Sequence, residues 1–97
     1  MSVASDHKSE KELQLELKKA RNIVHVGSFY RHYRDPHGCY KVLDLAIIEA
    51  TQEVGVIYQK EFGSDALKSI IWIRPLSSWI EKVSSEGILC PRFERVL

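Results

Sequence analysis

The first patterned stretch of the chain is an amphipathic segment that begins near Ser9. Apolar side chains recur there at steps of four, three and four residues, at Leu13, Leu17, Ala20 and Val24. Ser9 and Glu12 have the spacing of a capping box, in which each side chain binds the other residue's backbone N–H. We therefore predict an N-terminal helix over residues 9–22, preceded by a frayed or disordered start over residues 1–8.

After Gly27 the pattern changes to short runs rich in β-branched and aromatic residues. The runs span residues 28–34, 40–50, 54–61 and 69–74, and turn-forming residues separate them. Between the first two, Asp35-Pro36-His37-Gly38 predicts a turn that makes these strands neighbours, because proline fixes φ and glycine is permissive. Residues 40–50 are apolar on both faces, which is typical of a bent or bulged strand. The runs together predict a meander of antiparallel strands.

The last quarter of the chain leaves one interpretation open. Residues 76–83 fit either a short helical turn capped by Ser78 and Glu81 or a turn followed by a strand. Residues 84–87 predict a turn and residues 88–96 a closing strand, in which Pro91 would lie at an edge or a bulge. The whole pattern predicts a mainly β, α+β protein whose β domain covers residues 27–97.

Composition narrows the function classes without naming one. A chain of 97 residues has room for one core, and 14 basic against 13 acidic residues produce no long-range attraction for polyanions. The N-terminus has no apolar stretch of signal-peptide length, and the longest aliphatic and aromatic run covers only residues 70–73. We expect a cytoplasmic protein that does not span a membrane and keeps Cys39 and Cys90 as thiols.

Aromatic and cationic side chains alternate along the first predicted strand. In an extended conformation one face carries Phe29, Arg31 and Tyr33, and the other carries Tyr30, His32 and Arg34. One face would supply aromatic rings to the core, and the other would present a guanidinium or an imidazole beside phenol rings. Trp72, Arg74 and Arg92 are candidates to join this second group, which would suit a carboxylate or a phosphate.

Four blocks in a fixed order carry a family resemblance: Tyr30-Arg31-His32-Tyr33, Gly38 with Tyr40-Lys41-Val42, Trp72-Ile73-Arg74-Pro75-Leu76, and Pro91-Arg92-Phe93. Over residues 27–96 the chain resembles a bacterial family known only as domain of unknown function 1653. The resemblance implies a small SH3-like antiparallel β-barrel or roll of about five strands, and it implies no activity, substrate or cofactor. The chain departs from the family's pattern in its N-terminal helix, in the segment Ala66-Leu67-Lys68 and in Trp79.

The function we expect is a non-enzymatic binding module for an anionic small molecule or a peptide end. The expected ligand-binding residues are Tyr30, Arg31, His32, Tyr33, Trp72, Arg74 and Arg92. A purely structural interpretation of the arginines stays open. In that interpretation they stack on aromatic rings and pair with carboxylates, the candidates being Asp44, Glu49, Glu81 and Glu94.

Three further function classes stay open at this point. An enzyme is one of them, though less favoured than a binding module, because arginine, histidine and tyrosine side chains can bind and polarise an acid substrate without a familiar motif. The apolar stripe of the helix would let the protein form homo-oligomers or dock on a partner. A small barrel with exposed tyrosine, tryptophan and arginine side chains would also suit single-stranded nucleic acid, although the near-neutral charge disfavours it.

The sequence lacks the signatures of common enzyme classes. Its 5 glycines are isolated, and no GxSxG, HExxH or paired CxxC motif occurs. His32, His37 and Cys39 are residue types that suit zinc, but a structural site needs four ligands and Cys90 is the only other thiol. We expect no metal, no cofactor and no catalytic residue, with Cys39 an inert thiol rather than a nucleophile.

Overall fold

The computed structural model describes residues 8–62 and 70–96. Two helices and seven strands occur in these ranges: α1 (Glu10–Arg21), β1 (Phe29–His32), β2 (Asp35–Ile48), β3 (Glu53–Phe62), β4 (Ile71–Pro75), α2 (Leu76–Trp79), β5 (Lys82–Ser85), β6 (Ile88–Pro91) and β7 (Phe93–Arg95). Apart from Lys8, the predicted frayed start lies outside the described residues, as does the segment Ala66-Leu67-Lys68. No helix of the described ranges is long and apolar enough to cross a membrane.

Helix α1 begins as the sequence predicts. The Ser9 Oγ accepts a hydrogen bond from the Glu12 backbone N–H at 3.1 Å, and the Glu12 carboxylate accepts one from the Ser9 N–H at 3.2 Å, which confirms the capping box. Ala20 and, just beyond the helix, Val24 are each 1% exposed and lie in the core of the domain. The apolar stripe therefore packs on its own sheet.

Five strands form one antiparallel sheet in the order β4-β3-β2-β1-β7, and β5 pairs with β6 in a separate hairpin. The mainly β class with an N-terminal helix is confirmed. Within the described ranges the sheet is open, with β4 and β7 at its two edges, and no closed barrel is found. The SH3-like barrel or roll is therefore not confirmed and stays a prediction.

The β1–β2 connection corrects the predicted turn. The two strands are neighbours as expected, but Asp35 already belongs to β2 and pairs with His32, so the turn consists of Tyr33 and Arg34. The physical reason is tertiary: the Asp35 carboxylate binds Lys60 of β3, and this contact outweighs the local turn preference of Asp-Pro-His-Gly. The bulge expected in the apolar strand is present as a register shift of β2 against β3 between Val42 and Asp44.

The C-terminal quarter combines both interpretations of residues 76–83 and corrects the closing strand. A short helix α2 is followed by strand β5, and the residue before the helix is Pro75, with no side-chain cap from Ser78. Residues 88–96 form two strands in different sheets, because Arg92 interrupts them. Its N–H donates to the Glu81 carbonyl at 3.2 Å, and its carbonyl accepts from the Tyr33 N–H at 3.0 Å.

The core lies on one face of the five-stranded sheet, which we call the inner face and define by Val56, Tyr58 and Phe93. Strand alternation explains it, since residues 54, 56, 58 and 60 of β3 are all buried. On this face Trp79 of α2 stacks on Phe93 of β7, with ring centroids 3.7 Å apart and planes inclined by 2°. The inner face continues beyond this stack into a pocket.

Candidate functional site

A pocket of about 240 Å³ opens on the inner face. Each strand of the five-stranded sheet contributes to its lining: His32 from β1, Tyr40 from β2, Tyr58 and Lys60 from β3, Trp72 and Arg74 from β4, and Phe93 from β7. Two cationic side chains and one imidazole thus converge among four aromatic rings.

Strand register explains why these side chains meet. Tyr58 and Lys60 are two residues apart on β3, so they share a face of the sheet. Directly across from them, Trp72 of β4 pairs with Tyr58, and Tyr40 of β2 pairs with Lys60. The pocket is therefore a product of antiparallel pairing rather than of one loop or one motif.

Arg74 is held in one orientation by three contacts. Its backbone pairs with Val56, its Nη1 donates a hydrogen bond to the Ser78 Oγ at 2.9 Å, and its Cζ lies 5.6 Å from the centroid of the Phe93 ring. Its Nε is buried and has no hydrogen-bond partner in the described part of the chain. An unpaired buried N–H costs about 1–3 kcal/mol, so this guanidinium favours an acceptor beside it.

Lys60 carries the second positive charge of the pocket and has a partner. Its side chain is 8% exposed, and its Nζ lies 2.7 Å from Oδ2 of Asp35, which also accepts a hydrogen bond from the Tyr40 hydroxyl at 3.0 Å. The hydrogen bond from Lys60 lowers the pKa of Asp35 most, and the same bond raises the pKa of Lys60. Burial, followed by the bond to Asp35, raises the pKa of Tyr40.

His32 is the imidazole of the pocket, and its surroundings favour the neutral form. Its Nδ1 accepts a hydrogen bond from the Arg34 N–H at 3.1 Å, so the neutral ring carries its proton on Nε2. Burial lowers the pKa of His32 from 6.5, and the charges of Arg74, Arg92 and Arg34 lower it further, against a smaller opposing effect of Asp35. Burial is thus the main cause of the lowered pKa of His32, and the three arginines around the ring add to it.

Three of the expected ligand-binding residues line the pocket together: His32, Trp72 and Arg74. Tyr30 lies in the core, 5% exposed, with its ring against Trp79 and its hydroxyl accepting a hydrogen bond from the His25 N–H. Tyr33 lies in the β1–β2 turn under the Arg34 guanidinium. Neither tyrosine lines the pocket.

The other two expected arginines also lie outside the lining. Arg31 is exposed on the side of β1 opposite the core and pairs with Glu94 in the β1–β7 register. Arg92 forms an ion pair with Glu81 at 2.6 Å, one of the partners that the structural interpretation names. The charge of Arg92 lowers the pKa of His32, and its Nε, like that of Arg74, is buried without a hydrogen-bond partner in the described part of the chain.

Sequence reasoning did not assign four pocket residues to a site: Tyr40, Tyr58, Lys60 and Phe93. Tyr40 and Phe93 belong to the blocks that carry the family resemblance, so those blocks could have indicated them as site residues. Lys60 could also have been found from the sequence, because it follows Val54, Val56 and Tyr58 at the next core-facing position of the alternating strand. A lysine at such a position requires a partner, which marks it for attention.

The described residues do not form the metal site or the reactive cysteine that the histidines and cysteines of the sequence could have provided. In residues 8–62 and 70–96, no three His, Cys, Asp or Glu side chains gather where they would hold a metal ion. Cys39 and Cys90 are free thiols. Burial, followed by the nearby Glu61, raises the pKa of Cys39, so its reactive thiolate form is disfavoured.

Fold and pocket together define a class: a small, mainly β domain with an N-terminal helix and a polar-aromatic pocket on one face of an open sheet. Residues 28–95 match the family described as Protein of unknown function (DUF1653), and this chain belongs to that family, as its four blocks predicted. The crystal structure of a DUF1653 protein from Bordetella bronchiseptica is similar to it. The two share 33% sequence identity with a TM-score of 0.60, over 72% of this chain and 85% of that one. No curated protein matches the chain.

Proposed function

We propose that this protein is a non-enzymatic binding module that holds an anionic group in the pocket between Arg74, Lys60 and His32. One observation carries the proposal: Ser78 and Phe93 fix the Arg74 guanidinium at a pocket wall, while its buried Nε has no acceptor among the residues that the structure describes. A guanidinium prepared in this way binds a carboxylate or a phosphate without the entropy cost of ordering its side chain.

The composition of the wall supports the same assignment. Binding pockets are lined mainly by aromatic and apolar groups, with a few polar groups that set the orientation of the ligand. Here Tyr58 and Phe93 are each 7% exposed and form a rigid apolar surface, whereas Trp72 is 41% exposed and is available to cover a ligand. The ligand-binding residues of the proposal are therefore His32, Tyr40, Tyr58, Lys60, Trp72, Arg74 and Phe93.

Two alternatives receive less support. Assembly through α1 would use its apolar stripe, but Ala20 and Val24 of that stripe are buried in the domain itself. Single-stranded nucleic acid binding uses a series of exposed stacking rings along a basic groove. In this pocket Tyr58 and Phe93 are buried, and only Trp72 presents a largely exposed ring.

The proposal is tested by titrating isotope-labelled protein with acetate, benzoate, phosphate and sulfate while recording proton–nitrogen NMR spectra. We expect saturable shifts of the Trp72 indole and of backbone amides near His32 and Arg74, assigned with the help of Trp72→Phe. Arg74→Gln should weaken binding about tenfold or more, because it removes a charge-assisted hydrogen bond.

The matched control is Arg21→Gln, which removes an exposed arginine at the end of α1 and should leave both spectrum and affinity unchanged. Dispersed amide spectra of both variants show that they fold. If no anion shifts the pocket resonances, or if folded Arg74→Gln binds as tightly as the wild type, the binding-module proposal is wrong.

A further inference from the structure

We infer that the pocket selects a single negative charge on a planar group, and that its ligand is a monoanionic carboxylate bound on the Nε side of Arg74. This inference rests on the proposed function and specifies the ligand class of the same site. Three independent features of the pocket support it: the charge balance, the free edge of the guanidinium and the size of the space.

Among the pocket-lining residues that the structure describes, the charge balance leaves the Arg74 guanidinium without a carboxylate partner. Lys60 is compensated by Asp35, and Arg92, which lies outside the lining, is compensated by Glu81. The lowered pKa of His32 favours its neutral form, so among the described lining residues Arg74 is the cation without a carboxylate partner. A carboxylate neutralises it, whereas a phosphate monoester with a charge of about −1.5 to −2 would leave excess negative charge in a partly desolvated site.

The geometry of Arg74 selects a planar acceptor. Its Nη1 is engaged by the Ser78 Oγ, while its Nε is buried and has no hydrogen-bond partner in residues 8–62 and 70–96. The Nε–H and the adjacent Nη2 form the side edge of the guanidinium, and this edge binds both oxygens of one carboxylate through two parallel hydrogen bonds. Ser78 thereby acts as a positioning residue that sets the direction of the Nε edge of Arg74.

Two residues that line the pocket already bind a carboxylate of the protein itself. Asp35 is held by the Lys60 ammonium at 2.7 Å and by the Tyr40 hydroxyl at 3.0 Å. This internal pair occupies Lys60, so an incoming anion finds Arg74 and the Nε2–H of His32 as its donors. The contacts of Asp35 show that the Lys60 ammonium and the Tyr40 hydroxyl bind a carboxylate.

The size of the pocket suits a small ligand. Its volume of about 240 Å³ accommodates a short acid with a small apolar or aromatic body. The exposed ring of Trp72 would pack on that body. A free small acid and the C-terminal residue of a peptide both offer this chemistry, so the experiment includes both sources.

The experiment measures dissociation constants at pH 7.5 from shifts of the Trp72 indole and the pocket amides. The probes are benzoate, N-acetyl-glycyl-phenylalanine with a free carboxylate, the same peptide as its C-terminal amide, and sulfate as a tetrahedral dianion. We expect at least one carboxylate to bind about tenfold or more tightly than sulfate, and the amide to lose most of this affinity. Preference for the peptide acid over benzoate would assign the peptide end as the source, and the reverse would assign a free acid.

A variant checks the role of Ser78. Ser78→Ala should weaken carboxylate binding several-fold and reduce the preference over sulfate, because the Arg74 edge is no longer held. Ser84→Ala on the exposed part of β5 is the matched control and should change neither quantity.

Each failure has a distinct meaning. Sulfate binding as tightly as every carboxylate, or equal binding of the acid and the amide, overturns the carboxylate inference and leaves the anion-binding proposal standing. Absence of binding by all charged probes overturns both. Unchanged selectivity in a folded Ser78→Ala variant refutes the positioning role.

Discussion

Replacing Asp35 with asparagine tests the pair that shapes the pocket. The Lys60 ammonium lies on the inner face with its side chain 8% exposed, and the Asp35 carboxylate, 30% exposed, is the partner that compensates its charge. Asparagine keeps the size of the side chain and an acceptor oxygen but removes the negative charge. We expect Asp35→Asn to fold with reduced stability, because a desolvated ammonium loses its counter-charge.

The magnitude follows from how far each partner is buried. Removing one partner of a fully buried pair costs about 3–5 kcal/mol, and disrupting an exposed pair costs about 0–1 kcal/mol. The Lys60–Asp35 pair combines a buried cation with a partly exposed anion, so we expect about 2 kcal/mol at pH 7. For a domain of this size such a loss lowers the melting temperature by roughly 10 °C.

The stabilisation by the Lys60–Asp35 pair depends on pH in a direction that follows from the two pKa shifts. The pKa of folded Asp35 is below its ordinary value of 3.8, so its stabilisation is fully present above pH 3.8 and is lost as the pH falls through the folded pKa. The pKa of folded Lys60 is above 10.5, so its stabilisation is present below pH 10.5 and is lost as the pH rises through the folded pKa. The difference in stability between wild type and Asp35→Asn should therefore disappear in strong acid.

Urea unfolding of the wild type, Asp35→Asn, Lys60→Met and the double variant measures both the loss and the coupling. We expect the double variant to be more stable than the sum of the single losses predicts, since removing both charges leaves no unpaired ion. A loss below about 0.5 kcal/mol for Asp35→Asn, or additive single losses, would refute the reasoning. Asp35→Asn should also bind sulfate more tightly than the wild type, because Lys60 then becomes a second uncompensated charge.

Two further substitutions are expected to reduce stability by disrupting local contacts. A Cβ on Gly38 would overlap the Asp35 carboxylate, so Gly38→Ala should displace it from Lys60 and cost about 1–3 kcal/mol in urea unfolding. An unchanged unfolding midpoint would contradict this. Ser9→Ala removes one half of the capping box and should cost about 1 kcal/mol with a small loss of helical circular dichroism. An equal loss in the exposed Ser84→Ala control would show that the cap is not its cause.

The family was predictable because its evidence is a set of residues in a fixed order. The blocks around Tyr30, Tyr40, Trp72 and Phe93 indicated it, and the match over residues 28–95 confirms it. Part of the pocket was predictable on the same basis: His32, Trp72 and Arg74 were expected together and lie around one space. Strand alternation also predicts that Lys60 faces the core, where a charged residue within an apolar run indicates a partner or a site.

The sequence by itself determined the features that depend on neighbours along the chain. Helix α1 and its cap follow from spacings of three and four residues, and the bulge in β2 follows from apolar residues on both faces. Such features are encoded locally, because backbone hydrogen bonds and side-chain alternation act over a few residues.

Tertiary structure alone decided the rest. The β1–β2 turn moved to Tyr33 and Arg34 because Asp35 pairs with Lys60, and residues 88–96 divided between two sheets, with β7 joining β1. The pocket itself depends on which residue lies across from which, as in the pairs Tyr58–Trp72 and Tyr40–Lys60. Cross-strand register is set by packing the whole inner face at once, so no local pattern could have assembled the side chains that surround Arg74.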